Sequence, residues 1–225
     1  KCLMAQKNSN FSPATIVFWL LMALLPLFRV EALLDPAYLP RYLVLGVLGL
    51  AFLVISFKTR SQHKFPLGIS LAFGVFALMQ IISITSAQNT AESFGAIARY
   101  LSFTPFFFLL FSELKSGRIS TNQLLFGGLL FASLSAIPAF FQIIAALSSG
   151  EFFEDVYSIT GSYGHKNLLA SALMLAFPLS VAAWASLKSW QRSLAMLISI
   201  IIIFEIFVLR TRGVWLSFTA AAIFT

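Results

Sequence analysis

Charge is what this chain has least of. Only 10% of its residues are Asp, Glu, Lys or Arg, against about 25% in ordinary soluble domains, while 59% are apolar and the mean hydropathy is +0.91. A wetted surface cannot be assembled from that mixture, so the chain reads as one made for a lipid bilayer. Cysteine is scarcer still: Cys2 is the single thiol, which excludes an intrachain disulfide and any metal site resting on thiolates. The two histidines, His63 and His165, are far apart, no Asp pair or His cluster stands at ligand spacing, and the acids Glu151, Glu154 and Asp155 have no partners of the right type, so neither a metal nor another cofactor is expected. Low-complexity segments, clear repeats and a cleavable signal peptide are missing too.

What is present is a succession of apolar runs. At about 20 residues per helical crossing, 225 residues hold roughly eight spans. The runs fall at 14–28, 39–57, 67–86, 94–112, 122–147, 167–187, 194–209 and from 214 onward. Strands of a membrane barrel alternate apolar and polar residues, whereas these runs are apolar all round, which selects helices. The expected fold is all-α: a polytopic integral membrane helical bundle of about eight transmembrane helices, forming a single domain over residues 1–225. Lys1 is not an initiator Met, and the last run has twelve residues, about 18 Å of helix against a hydrocarbon core of about 30 Å. Both ends are therefore expected to be cut.

Orientation follows from the basic residues in short loops. With a cytoplasmic N-terminus, nine of the fifteen Lys and Arg residues lie inside (Lys1, Lys7, Lys58, Arg60, Lys64, Lys115, Arg118, Lys188 and Arg192). Arg29, Arg41, Lys166, Arg210 and Arg212 then lie outside, with Arg99 within a span. Six of the eight acids (Glu31, Asp35, Glu92, Glu151, Glu154 and Asp155) fall outside as well. The net charge of +7 is dispersed among turns rather than gathered on one face, so it marks topology and not a nucleic-acid partner.

Two outside segments carry the polar chemistry. Arg210 and Arg212 close the 194–209 run and are followed at once by Gly213, Val214, Trp215 and Leu216, so two guanidiniums sit in a short turn at the membrane edge. Guanidinium grips phosphate oxygens two at a time and stays charged, which fits a lipid-linked diphosphate; the plainer reading is snorkelling to headgroups. In the 148–166 loop, Gly161 and Gly164 permit unusual backbone, Asn167 is the expected cap of the next helix, and His165 and Lys166 either contact a substrate or merely face water.

Arg99 and Glu205 are charges set within spans, where isolated charge is costly. Either Arg99 reaches a diphosphate cavity while Glu205, seven residues before Arg212, orients an arginine, or the two form a structural ion pair. The aromatic run Phe103, Phe106, Phe107, Phe108 and Phe111 is read as packing or lipid-facing. Pro26, Pro105, Pro138 and Pro178 are read as residues within or near helices.

Here the residues carry a resemblance. Gly161, Ser162, Tyr163, Gly164, His165, Lys166, Asn167, Leu168, Leu169 and Ala170, ending at Pro178 and Leu179, resemble the loop-and-helix signature of the O-antigen ligase and polymerase superfamily. One span later, Leu209, Arg210, Thr211, Arg212, Gly213, Val214, Trp215 and Leu216 resemble its second signature, with Thr211 where Ser is usual. The two motifs cover roughly the last third of the chain. The resemblance implies a membrane glycosyltransferase of lipopolysaccharide or polysaccharide biosynthesis in the cell envelope. It would work on the periplasmic face of the bacterial inner membrane, on a glycan carried by undecaprenyl diphosphate. A ligase passes the glycan to an acceptor glycolipid such as lipid A core, or to a protein; a polymerase extends another lipid-linked chain. It implies diphosphate binding by Arg212, Arg210 and Arg99, and a catalytic His loop beyond Thr225. The rival class is a secondary transporter, of a bicarbonate-like kind, for which matched broken helices near the midplane are expected.

Overall fold

In the computed structural model the described residues are 12–29, 38–58, 67–149, 156–211 and 213–217. They are all-helical, with no strand among them. The helices are α1 (Pro13–Leu27), α2 (Tyr38–Lys58), α3 (Leu67–Ile84), α4 (Thr90–Lys115), α5 (Thr121–Ser149), α6 (Lys166–Ser186) and α7 (Trp190–Leu209). Among the described residues of the α5–α6 connection, Val156–Ser158 forms a 3₁₀ turn, and residues 213–217 are helical.

Five stretches are long and apolar enough to cross a membrane: Leu67–Ile84, Glu92–Lys115, Thr121–Ser149, Lys166–Ser186 and Trp190–Leu209. The expected count was about eight. The apolar helices Pro13–Leu27 and Pro40–Ile55 are shorter; the first has 15 residues, about 22 Å of helix, less than a hydrocarbon core of about 30 Å. Residues 218–225 lie outside the described ones, so the run from 214 adds no measured span.

Helix ends obey local chemistry. Ser12 caps α1, its Oγ accepting from the Thr15 amide at 3.2 Å, with Pro13 in the first turn. Ser120 and Gln123 form a reciprocal capping box at the start of α5: Gln123 Oε1 accepts from the Ser120 amide at 2.8 Å and Ser120 Oγ from the Gln123 amide at 3.3 Å. Asn89 caps α4, which carries Glu92 in its first turn and Lys115 in its last, both favourable to the helix dipole. The four prolines Pro26, Pro105, Pro138 and Pro178 all lie inside helices, as their positions in the apolar runs implied.

The tightest packing joins α5, α6 and α7. Their facing surfaces are small: Gly128, Ala132, Ser135, Ala136, Ala139 and Ala146 on α5, and Ala170, Ala172, Ala176, Ser180 and Ala183 on α6. Small residues let backbones approach closely, which brings the helices into extensive van der Waals contact. A Cβ on Gly127 would overlap the Phe18 ring, which is how closely α1 lies on α5. Ser199 Oγ adds a buried hydrogen bond to Ser180 Oγ at 2.8 Å between α7 and α6. By contrast α3 buries no residue and lies against α4 through Phe73, which stacks on Phe107 at 5.1 Å. Phe106 meets Phe52 of α2, so the phenylalanines of α4 are divided between packing and outward exposure.

Long-range bonds sort the connections into two ends. Ser12 Oγ donates to the Arg118 carbonyl at 3.2 Å and Trp19 Nε1 to the Gln123 carbonyl at 2.8 Å, gathering the start of α1 with the α4–α5 turn. Phe126 meets Trp190 edge-on at 6.2 Å, adding the start of α7. At the opposite end, Arg41 and Ser162 join the α1–α2 and α5–α6 connections. These contacts place the start of α1, the α4–α5 turn and the start of α7 at one end of the bundle, and Arg41 and Ser162 at the other.

Candidate functional site

The described part of the α5–α6 connection, residues 156–165, lies against the bundle. Ile159 and Tyr163 are buried, and the Tyr163 hydroxyl reaches Ser135 Oγ of α5 at 2.7 Å. Gln142 of α5 fixes the bend by accepting from the Thr160 and Gly161 amides, at 3.1 and 2.8 Å. Gly161 has φ +55, and a Cβ there would lie 3.3 Å from Leu169 Cδ1, so both the backbone and the space favour glycine. Gly164 has φ +73 just before α6 begins.

Arg41, from the first turn of α2, completes the clamp. Its Nη2 donates to the Ser162 carbonyl at 2.7 Å and to the Pro26 carbonyl at 3.1 Å, and its guanidinium lies 4.1 Å over the Tyr163 ring. Ser162 Oγ also donates to the Pro26 carbonyl. Burial pushes the Tyr163 phenol above its ordinary value of 10.0, opposed by the Ser135 hydrogen bond and then by the Arg41 charge. The sequence marks Arg41 only as a topological charge. Its position one turn into an apolar run was the available signal that it turns inward.

His165, not Asn167, is the helix cap. Nδ1 of His165 accepts from the Asn167 amide at 3.2 Å, which places the imidazole proton on Nε2 if the ring is neutral. Asn167 is exposed one residue inside the helix, where its carbonyl accepts from Ser171 Oγ at 2.8 Å. The expected cap is thus displaced by two positions, because imidazole nitrogen can accept the same orphan amide that Asn oxygen accepts.

Lys166 and Arg210 come together. They line one hollow of about 380 Å³ with Val156, Tyr157, Phe204, Phe207, Val208 and Leu209. The Lys166 ammonium sits 3.8 Å over the Tyr157 ring. Arg210 is exposed in the left-handed conformation, φ 49 and ψ 39, immediately after α7. The walls are apolar and the aromatic rims, Phe204 and Phe207, are themselves exposed on the side of α7. Phe207 packs edge-on against Trp215 at 4.6 Å, tying the residues after the turn to the same wall.

Of the other expected site residues, Arg99 and Glu205 are described and neither lines this hollow. Arg212 is outside the described residues, as are Glu151, Glu154 and Asp155. Arg99 is exposed, donates from Nε to the Gly95 carbonyl at 3.1 Å, and lines a separate hollow of about 500 Å³ with Gln88, Asn89, Glu92 and Ser93. Glu205 is fully buried on the inner face of α7, and neither of its oxygens has a hydrogen-bond partner among the described residues. The Arg99–Glu205 ion pair is therefore not made, and Glu205 does not orient Arg210. A paired intrahelical charge does occur at the opposite end, where Arg118 Nε and Nη2 grip the buried Glu113 carboxylate at 2.6 and 2.7 Å. Among the described residues no group of three or more His, Cys, Asp or Glu side chains is placed to hold a metal ion. Comparison of the chain with family models, with curated proteins and with solved structures finds no match.

Proposed function

We propose that this protein is a polytopic membrane glycosyltransferase of the O-antigen ligase type. It takes a glycan from undecaprenyl diphosphate and passes it to a glycolipid or protein acceptor. In this reading the chain has about eight spans in the bacterial inner membrane, its N-terminus is cytoplasmic, and the hollow beside Lys166 and Arg210 opens on the periplasmic face. A polymerase of the same superfamily would use the same donor end. The observation that carries the reading is that Lys166 and Arg210, which belong to two separate sequence motifs, line one apolar-walled hollow.

Chemistry supports it. When the glycan leaves, negative charge builds on the bridging oxygen of the departing diphosphate, and fixed cations in a poorly hydrated site stabilise that charge where it develops. Lys166 supplies a compact charge and Arg210 a planar fork. Exposed Phe204 and Phe207 offer a hydrocarbon-compatible rim, which suits a lipid-borne anion better than a soluble one. The test is transfer of a radiolabelled glycan from undecaprenyl diphosphate by the full-length protein in proteoliposomes, with and without excess chelator. Transfer that persists in chelator supports charge stabilisation by side chains. Absence of transfer with every acceptor offered removes the reading.

A second reading, a secondary transporter, draws on Glu205, a buried and unpartnered carboxyl within a membrane-crossing helix. It is separated from the first by Glu205→Gln: loss of solute uptake into proteoliposomes with glycan transfer absent in the parent would favour transport.

A further inference from the structure

We propose that Tyr157 is a positioning residue for the anion-binding hollow, its ring holding the Lys166 ammonium in place for a phosphoryl oxygen that arrives beside Arg210. The proposal rests on the reading of that hollow as a diphosphate site and adds to it the group that prepares it. Lys166 has no acidic partner among the described residues, and its ammonium lies 3.8 Å from the centre of the Tyr157 ring. Lysine carries four rotatable bonds, so an ammonium without a partner samples many positions, and fixing it on binding loses that freedom. The negative face of an aromatic ring restrains a cation without neutralising it. A carboxylate in the same place would compete with the ligand for the charge, whereas a ring covers one side of the ammonium and leaves its charge and its outward hydrogens for the ligand.

The local structure suits this role. Tyr157 is the middle residue of the 3₁₀ turn Val156–Ser158, and buried Val156 anchors that turn against the bundle. Lys166 is the first residue of α6, fixed by the His165 cap, so both backbones are held while the Tyr157 side chain is 71% exposed. The ring thus contributes little to packing. What it visibly touches is the cation.

The experiment uses the full chain in phosphatidylcholine nanodiscs, titrated calorimetrically with farnesyl diphosphate and separately with inorganic diphosphate. Tyr157→Leu should weaken binding by about twofold to tenfold, the range of an exposed cation–π contact, while Tyr157→Phe, which keeps the ring face, binds as the parent does. In a Lys166→Ala background Tyr157→Leu should bring no further loss, because the ring acts through the ammonium. Equal loss in both backgrounds, or a Tyr157→Phe variant as weak as Tyr157→Leu, overturns the proposal. If farnesyl diphosphate binds the parent and Tyr157→Leu changes nothing, the proposal alone falls. If neither probe binds the parent, the diphosphate reading falls and takes the proposal with it. Inorganic diphosphate binding as tightly as the prenyl compound, with the same dependence on Tyr157, upholds the positioning role and assigns the site to a free anion instead of a lipid.

Discussion

Arg41 and Ser162 stand 121 residues apart in the chain, yet Nη2 of the first donates to the carbonyl of the second at 2.7 Å. One guanidinium therefore ties the start of α2, the end of α1 through Pro26, and the bend that leads into Lys166. Replacing Arg41 by Met keeps much of the length and removes the donors. Loss of a charged hydrogen bond at a part-buried site is worth about 1.5–3 kcal/mol. Arg41→Met should lower the thermal unfolding temperature in detergent and open the 159–165 bend to protease. Unchanged stability and cleavage would show the clamp to be incidental.

Lys166 and Arg210 should act on the same ligand. Removing either charge by Lys166→Ala or Arg210→Ala should weaken farnesyl diphosphate binding by roughly tenfold to a hundredfold, with little change for an uncharged prenyl alcohol. The binding constants of the two single variants and their double variant measure whether one anion bridges both side chains. Strictly independent effects would separate them.

Arg212 carries the sequence motif, although it lies outside the described residues. If it holds the diphosphate with two directed bonds, Arg212→Lys keeps the charge and loses the fork, so glycan transfer by the full-length protein should fall by roughly tenfold to a thousandfold at equal membrane abundance. Arg210→Lys run beside it tells which guanidinium matters more. Wild-type transfer by the Arg212 variant would return that residue to headgroup anchoring.

Gly127 should tolerate nothing larger. A methyl group there overlaps the Phe18 ring, and overpacking of this kind costs about 1–3 kcal/mol. Gly127→Ala should therefore destabilise the α1–α5 contact, and Phe18→Leu in the same chain should recover part of the loss. Thermal unfolding of the two variants and the parent decides it, and additive destabilisation would argue against direct overlap.

Tyr163 makes stability depend on alkali. Its folded phenol is raised above 10.0 by burial, so the folded state binds the phenolic proton more tightly than the unfolded chain does. That contribution is complete below the unfolded value and is lost as pH rises through the folded one. Unfolding measured from about pH 9 to about pH 11 should show a steeper loss for the parent than for Tyr163→Phe. Parallel profiles would mean that the phenol does not report burial.

Much of the architecture was legible because membrane helices announce themselves. Apolar runs at 67–86, 122–147 and 167–187 correspond to α3, α5 and α6 with small shifts at their ends, since a bilayer selects on length and hydropathy, both of which are local properties. The glycines at 161 and 164 likewise revealed their backbone in advance, as both adopt positive φ. Ring nitrogen against amide oxygen as a cap was not distinguishable from residue order, and His165 took the place expected of Asn167.

Composition and periodicity by themselves determined that the chain is helical, with helices long and apolar enough to cross a membrane, and residue order singled out Lys166 and Arg210. Only the tertiary structure decided what those charges meet. Arg99 lines a hollow of its own, Glu205 is buried without a hydrogen-bond partner among the described residues, Arg41 turns inward onto two carbonyls, and Lys166 finds the Tyr157 ring and shares a hollow with Arg210. The physical reason is range. Hydropathy acts through each residue's own transfer into lipid and can be summed along the chain, whereas a contact between side chains of different helices depends on helix rotation and offset, which are set by which small residues allow two backbones to meet.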